Sequence, residues 1–162
     1  MQKITPFLWF DNNAEEAIQF YLSVFKDGKM GSITRYGKAG PGPEGAVMTG
    51  SFNIQGQEFI ALNGGSLFRF NESISFVVNC ESQDEVDNYW ERLSEGGTTS
   101  MCGWLKDKFG LSWQVVPVIL PQLLQHKDPE KANRVMKAMM QMQKIDIKKL
   151  KEAAESENLV HS

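Results

Sequence analysis

Phe7-Leu8-Trp9-Phe10-Asp11, followed by Ala14-Glu15-Glu16-Ala17-Ile18-Gln19-Phe20-Tyr21, reads as an apolar strand running into an acidic-headed helix that ends on two aromatics. The same statement returns downstream as Phe76-Val77-Val78-Asn79 and Gln83-Asp84-Glu85-Val86-Asp87-Asn88-Tyr89-Trp90. Phe7 and Phe76, Glu16 and Glu85, Phe20 and Tyr89, and Gly28 and Gly97 are each 69 positions apart. Two copies at so long a period do not make a solenoid. They predict one duplicated unit folded as two halves. Two similar curved halves tend to enclose a cleft, the usual seat of small-molecule function.

The 162 residues suffice for one well-buried domain with a small appendage. A net charge of −3 argues against a general nucleic-acid binder, which needs Lys and Arg to neutralise phosphates. Lys144, Lys148, Lys149 and Lys151 cluster late, but Glu152, Glu155 and Glu157 follow. That run reads as a solvated helix face, with an anion contact as the alternative. The opening residues carry no basic region and apolar core of a secretory signal. No apolar run approaches the roughly 18 residues of a membrane span. Cys80 and Cys102 do not make a disulfide framework and read as two reduced thiols. The expected location is the cytoplasm, without membrane or nucleic-acid partners.

Along the chain, residues 3–10 suit a strand. Asn12 or Asn13 can cap the helix that follows, whose positive first turn holds Glu15 and Glu16. Ala14, Ala17, Ile18, Tyr21, Leu22 and Phe25 give that helix one apolar stripe. Strands are predicted at about 30–37, 46–54 and 57–63, with a Gly- and Pro-rich loop over 37–45 and a hairpin turn at 55–57. The second unit opens with a strand at 73–79. Ser82 then caps a helix over 83–95, which Gly96-Gly97 stops. Strands near 98–105 and 111–117 close the unit, leaving it one strand short or with one strand shortened. After Pro117 three helices are predicted, over 120–125, 129–143 and 145–159, the last headed by Asp146. Without a core of their own they must pack on the sheet or on a partner subunit. Val135, Met136, Met139, Met140 and Met142 supply the apolar surface, and Met-rich surfaces adapt to cores and partners alike.

Pro6-Phe7-Leu8-Trp9-Phe10-Asp11 with Glu15-Glu16-Ala17-Ile18 and Phe20-Tyr21 resembles the opening of PhnB-like proteins in the vicinal oxygen chelate superfamily. The likeness continues through Ala61-Leu62-Asn63-Gly64-Gly65 and Ile74-Ser75-Phe76. It is strongest from Cys102-Gly103-Trp104-Leu105-Lys106-Asp107 to Lys108-Phe109-Gly110-Leu111-Ser112-Trp113-Gln114, and the tail at Lys131-Ala132, Val135-Met136 and Lys144-Ile145-Asp146 also looks like the subgroup's ending. The resemblance implies an α+β fold of paired βαβββ modules, about 1–66 and 70–118, each curling into part of a barrel, usually in a homodimer. Residues 119–162 would form a helical C-terminal extension.

Relatives of this subgroup often carry a 3-demethylubiquinone methyltransferase label. No glycine-rich loop follows a parallel strand here, as a methyl-donor site on a Rossmann-like sheet would require.

Superfamily enzymes generally bind a divalent metal through His, Glu or Gln, and the metal polarises vicinal substrate oxygens. Carried over, those positions fall at Pro6 or Phe7, Thr49, Ile74 or Ser75, and Gln114. Only Gln114 could be a ligand, and one neutral oxygen does not hold a transition metal. The two histidines, His126 and His161, lie in the tail. No metal and no cofactor are therefore expected. The expected function is a homodimer that binds or sequesters a small, partly aromatic molecule. A divergent lyase, isomerase or dioxygenase of the same superfamily is the alternative.

The candidate ligand-binding residues are Trp9, Thr49, Phe52, Asn63, Cys102, Trp104, Trp113 and Gln114. Strand alternation allows only some of the aromatics to face inward, the rest being core. Asn63 is either a hydrogen-bonding group or a turn cap. Cys102, placed on the strand before Gly103-Trp104, is either an inert thiol or a nucleophile helped by Lys106 or Lys108.

Overall fold

The computed structural model describes residues 2–156. His161 and the predicted end of the last helix, 157–159, lie outside them. The chain divides into two compact units, Met1–Phe70 and Asn71–Ser162, the helical tail grouping with the second.

In the first unit, β1 (Phe7–Phe10) leads into α1 (Ala14–Val24), and β2 (Lys29–Arg35), β3 (Val47–Ile54) and β4 (Gln57–Asn63) follow. The sheet order is β1-β4-β3-β2, with β1 parallel to β4 and the other pairs antiparallel. Side-chain alternation explains the layering. Leu8, Phe10, Phe52, Ile54, Phe59 and Ala61 are buried, together with Ala14, Ala17, Ile18, Tyr21 and Val24 of α1. Phe52 and Phe59, directly opposite in register, stack with ring centroids 5.3 Å apart, and Tyr21 of α1 stacks on Phe52 at 5.9 Å. β2 lies at the sheet edge, exposed along its whole length, with register shifts between Met30 and Ile33 and between Thr34 and Arg35.

The second unit repeats the plan with β5 (Ser75–Cys80), α2 (Gln83–Ser94), β6 (Thr98–Thr99), β7 (Trp104–Lys106) and β8 (Ser112–Pro117), in the order β5-β8-β7-β6. Here too the first strand pairs parallel with the last. The fold is thus α+β, built of paired βαβββ modules with C-terminal helices. No strand is missing from the second module. The strand predicted over 98–105 is two short ones, β6 and β7, because the chain turns at Met101-Cys102-Gly103. Cys102 there adopts φ 60° and Gly103 φ 82°, so Cys102 sits on a turn and not on a strand. Consecutive left-handed residues are costly unless something holds them. Two hydrogen bonds do: Cys102 N–H donates to the Met142 carbonyl and Gly103 N–H to the Gln143 carbonyl, both at 2.8 Å.

The tail forms α3 (Ile119–Leu124), α4 (Pro129–Met140) and α5 (Ile147–Glu155). Contrary to expectation these helices have a small core, in which Leu120, Val135, Ile145, Leu150 and Ala154 are buried and Val116 of β8 packs alongside. α4 ends at Met140, and the connector after it supplies the carbonyls that receive the Cys102 and Gly103 amides. Gln83 of α2 holds the same connector from the other side. Its Nε2 donates to the Ile145 carbonyl at 3.0 Å, and its Oε1 accepts from Ile147 N–H at 2.8 Å. Met139 and Met142 pack partly buried against the helical core, whereas Met136 and Met140 are exposed. Asp146 caps α5, accepting from Lys149 N–H at 3.1 Å. Among the described residues no helix is long and apolar enough to cross a membrane.

Candidate functional site

Register assigns each residue of the second sheet to a face. Trp113, Val115 and Pro117 of β8 are buried on one face, opposite Phe76, Val78 and Cys80 of β5, with Leu105 of β7 beside Trp113. The residues between them belong to the other face. There Thr98, Lys106, Ser112 and Ser75 lie directly opposite one another across all four strands, and Trp104, Gln114 and Val77 form the next row.

A recess of about 580 Å³ opens on this second face, lined by Glu72, Thr98, Ser100, Trp104, Lys106 and Ser112. Its electrostatics are simple. Lys106 pairs with the Glu72 carboxylate, both side chains being partly exposed. That hydrogen bond holds the Glu72 carboxyl below its ordinary range. Ser112 is fully buried, and its hydroxyl has no hydrogen-bond partner among the described residues. An unpaired buried hydroxyl costs stability, so a native structure that keeps one invites an explanation. Beside it Gln114 Nε2 donates to Ser75 Oγ at 2.9 Å.

The sequence candidates divide accordingly. Trp104 and Cys102 line the recess, and Gln114 lies directly opposite Trp104 on β8. Trp113 turns to the buried face, where its indole N–H donates to Asp107 Oδ2 at 2.9 Å. Asp107 shapes the turn, its Oδ1 accepting from Phe109 N–H at 2.8 Å and Leu111 N–H at 3.1 Å.

The other four candidates belong to the first unit. Phe52 is core. Trp9 donates to the Gly65 carbonyl at 2.8 Å and meets Phe68 edge-on. Thr49 Oγ1 lies 2.6 Å from Thr34 Oγ1. Asn63 acts as a clamp between three elements. Its Oδ1 accepts from Ala14 N–H at 2.9 Å, and its Nδ2 donates to the Val47 carbonyl at 3.2 Å. The cap of α1 thus comes from β4 and not from Asn13, whose side chain makes no capping bond.

Thr98, Ser100, Lys106 and Ser112 were not among the sequence candidates. Lys106 entered the sequence reading only as a positive neighbour that could help Cys102. The available signal was the polar i, i+2 pair Ser112 and Gln114 within an apolar strand.

The metal positions of the superfamily can be tested against these contacts. Phe7 and Ile74 are exposed apolar side chains, and Pro6 offers no donor. The hydroxyls of Thr49 and Ser75 are engaged with Thr34 and Gln114. Among the described residues no three His, Cys, Asp or Glu side chains gather. This donor set does not fit a divalent transition metal.

Among the described residues neither cysteine has an adjacent histidine. The Cys102 thiol faces the Met139 carbonyl at 3.7 Å. The Cys80 thiol is buried, and burial, with a smaller contribution from the Glu85 charge, pushes its pKa up to about 12. At pH 8 only about one Cys80 in ten thousand would be thiolate. Native protein treated with a disulfide reagent at pH 8 should therefore modify Cys80 only as fast as the unit opens, and denaturant should accelerate the reaction sharply. Rapid labelling of Cys80 in the native protein would contradict this.

Comparison with known proteins agrees with the architecture. The profile of the 3-demethylubiquinone-9 3-methyltransferase family matches residues 2–116, ending before the three tail helices. A Bacillus cereus PhnB protein described under that methyltransferase name is 39% identical, with a TM-score of 0.65 over 72% of this chain and 100% of its own. A Pseudomonas aeruginosa protein at 22% identity matches 72% of this chain and 98% of its own, with a TM-score of 0.59. The Listeria monocytogenes fosfomycin resistance protein FosX, solved with Mn(II) and a dihydroxypropylphosphonic acid, is 18% identical, with a TM-score of 0.52 over 77% of this chain and 100% of its own. The last two likenesses are of fold alone. No curated protein matches the sequence. The module order, the strand pairing and the match over 2–116 together place this chain in the 3-demethylubiquinone-9 3-methyltransferase family, the PhnB-like group of the vicinal oxygen chelate superfamily.

Proposed function

We propose that this protein is a metal-free small-molecule binder, a cytoplasmic homodimer that holds its ligand in a recess and performs no chemistry on it. The observation that carries this reading is the recess of the second sheet, where an indole, a lysine and a buried unpartnered hydroxyl converge. Such a mixture of an apolar wall and a few polar groups is what small-molecule sites are made of. The donor chemistry supports the metal-free part, since the oxygens at the superfamily's metal positions are neutral, with Thr49 Oγ1 engaged by Thr34 Oγ1 and Ser75 Oγ accepting from Gln114 Nε2. The fold weighs against methyl transfer, because each sheet has a single parallel pair and no glycine-rich turn opens a helix behind it. Phe7 in the first unit and Ile74 in the second are each exposed apolar side chains of the kind a second copy would cover.

Native mass spectrometry tests the metal-free and dimeric parts of the proposal together. Purified protein is soaked with Mn²⁺, Ni²⁺ or Zn²⁺ and exchanged into volatile buffer. The expected spectrum is a dimer carrying no stoichiometric metal. One retained metal per chain would overturn the binding-protein reading in favour of a metal-dependent lyase, isomerase or dioxygenase. A monomer mass would remove the dimer.

A further inference from the structure

The recess already holds one carboxylate, and it is the protein's own. Glu72, on the loop before β5, occupies Lys106 from the recess wall. Two partly exposed side chains in such a pair gain little net energy, so the pair exchanges readily for a better one. A better one is available deeper in. Ser112 lies directly opposite Lys106 in register, on the same face, with a buried hydroxyl that nothing satisfies. A ligand oxygen that parts Lys106 from Glu72 and uncovers the buried hydroxyl would receive the ammonium and the hydroxyl together, a charge-assisted arrangement that Glu72 alone does not complete. Trp104, two residues before Lys106 on the same face, presents an indole to whatever the anion carries.

We infer that the recess selects small aromatic carboxylates, and that Glu72 is a built-in competitor which the ligand's carboxylate displaces from Lys106 as it engages Ser112. This inference rests on the small-molecule reading above and names its ligand class. It gives the unpaired Ser112 hydroxyl a purpose, and it makes an unusual claim about Glu72. Removing an acid from the rim should improve binding.

The test uses the full chain and two probes of equal shape, benzoate and its neutral counterpart benzamide, titrated while the Trp104 indole N–H is followed by NMR. Benzoate should shift that signal saturably and bind at least about tenfold more tightly than benzamide, the scale of one charge-assisted hydrogen bond. Lys106→Gln should erase the difference between the probes. Ser112→Ala should weaken benzoate and spare benzamide. Glu72→Gln should tighten benzoate several-fold and leave benzamide unchanged. Lys106 and Glu72 are partly exposed, so both variants should fold.

Equal affinity for the two probes would overturn the carboxylate selection while leaving a ligand recess. Weaker or unchanged benzoate binding in Glu72→Gln would overturn the competitor role. If neither probe moves the Trp104 signal at tens of millimolar, the recess is not a ligand site, and the small-molecule reading falls with this inference.

Discussion

Asp107→Ala will destabilise the second unit by about 3–5 kcal/mol, because one buried carboxylate serves three donors there. Asp107 is 3% exposed. It ties the backbone amides of Phe109 and Leu111 to one oxygen and the Trp113 indole to the other. Truncation strands all three donors in a region where water cannot easily replace the acceptor, and each stranded donor costs about 1–3 kcal/mol. The turn between β7 and β8 would lose its template, and Trp113 its anchor against the sheet. Asp107→Asn keeps the shape and one acceptor oxygen but turns an NH₂ toward a donor, so its cost should be smaller, about 2 kcal/mol. Urea unfolding followed by tryptophan fluorescence measures both variants. A loss below about 1 kcal/mol for Asp107→Ala would mean that water or a shifted turn satisfies the donors.

The second large effect distinguishes the two copies of the repeat. Gly28 and Gly97 occupy equivalent places after α1 and α2, but different neighbours crowd them. A Cβ on Gly97 would lie 2.0 Å from the Lys106 carbonyl oxygen, 2.8 Å from the Asp107 carbonyl carbon and 3.0 Å from its Cα. All three are backbone atoms, one on the last residue of β7 and two on the residue after it, and backbone cannot swing aside. At Gly28 the nearest atom is Leu22 Cδ2 at 2.5 Å, the end of a side chain that can change rotamer. Gly97→Ala should therefore cost about 3 kcal/mol or more and pull β6 from β7, whereas Gly28→Ala should cost about 1 kcal/mol. Thermal unfolding of the two single mutants checks the ranking. Equal losses would show that the β6–β7 pairing is softer than its geometry suggests.

The duplication was legible because it is written in local patterns. Short apolar runs mark β1 and β5, and acidic first turns mark α1 and α2. Those signals need nothing from elsewhere in the chain. What escaped reading depends on distant partners. The break between β6 and β7 comes from left-handed Cys102 and Gly103, whose amides are held by the carbonyls of Met142 and Gln143, forty residues on, and Thr98 to Leu105 otherwise looks like one strand. The cap of α1 comes from Asn63, 49 residues away, so Asn12 and Asn13 were reasonable candidates that the fold did not use.

For the site, alternation showed only that some of the aromatics could face inward, and it took the β7–β8 register, with Trp104 opposite Gln114 and Leu105 opposite Trp113, to put the two indoles on opposite faces. Which side carries the recess was fixed by Asp107 drawing the Trp113 indole to the buried face. Asp107 itself was recognisable as a turn former from its place before Lys108-Phe109-Gly110. Lys106 and Ser112 gained meaning only once the β7–β8 register set them side by side.

The irregular pairing of β2 bears on how the protein behaves in a crowded solution. A long, straight outer strand would offer neighbouring molecules a row of free amides and carbonyls, an invitation to stack without limit. This strand is broken twice in its register and begins and ends on Lys29 and Arg35. The interruptions spoil the match an incoming strand would need, and the like charges at its ends repel a second copy of the same strand. A feature that looks like imperfect folding thus serves as insurance against precipitation, and smoothing those irregularities away would trade a tidier sheet for a stickier protein.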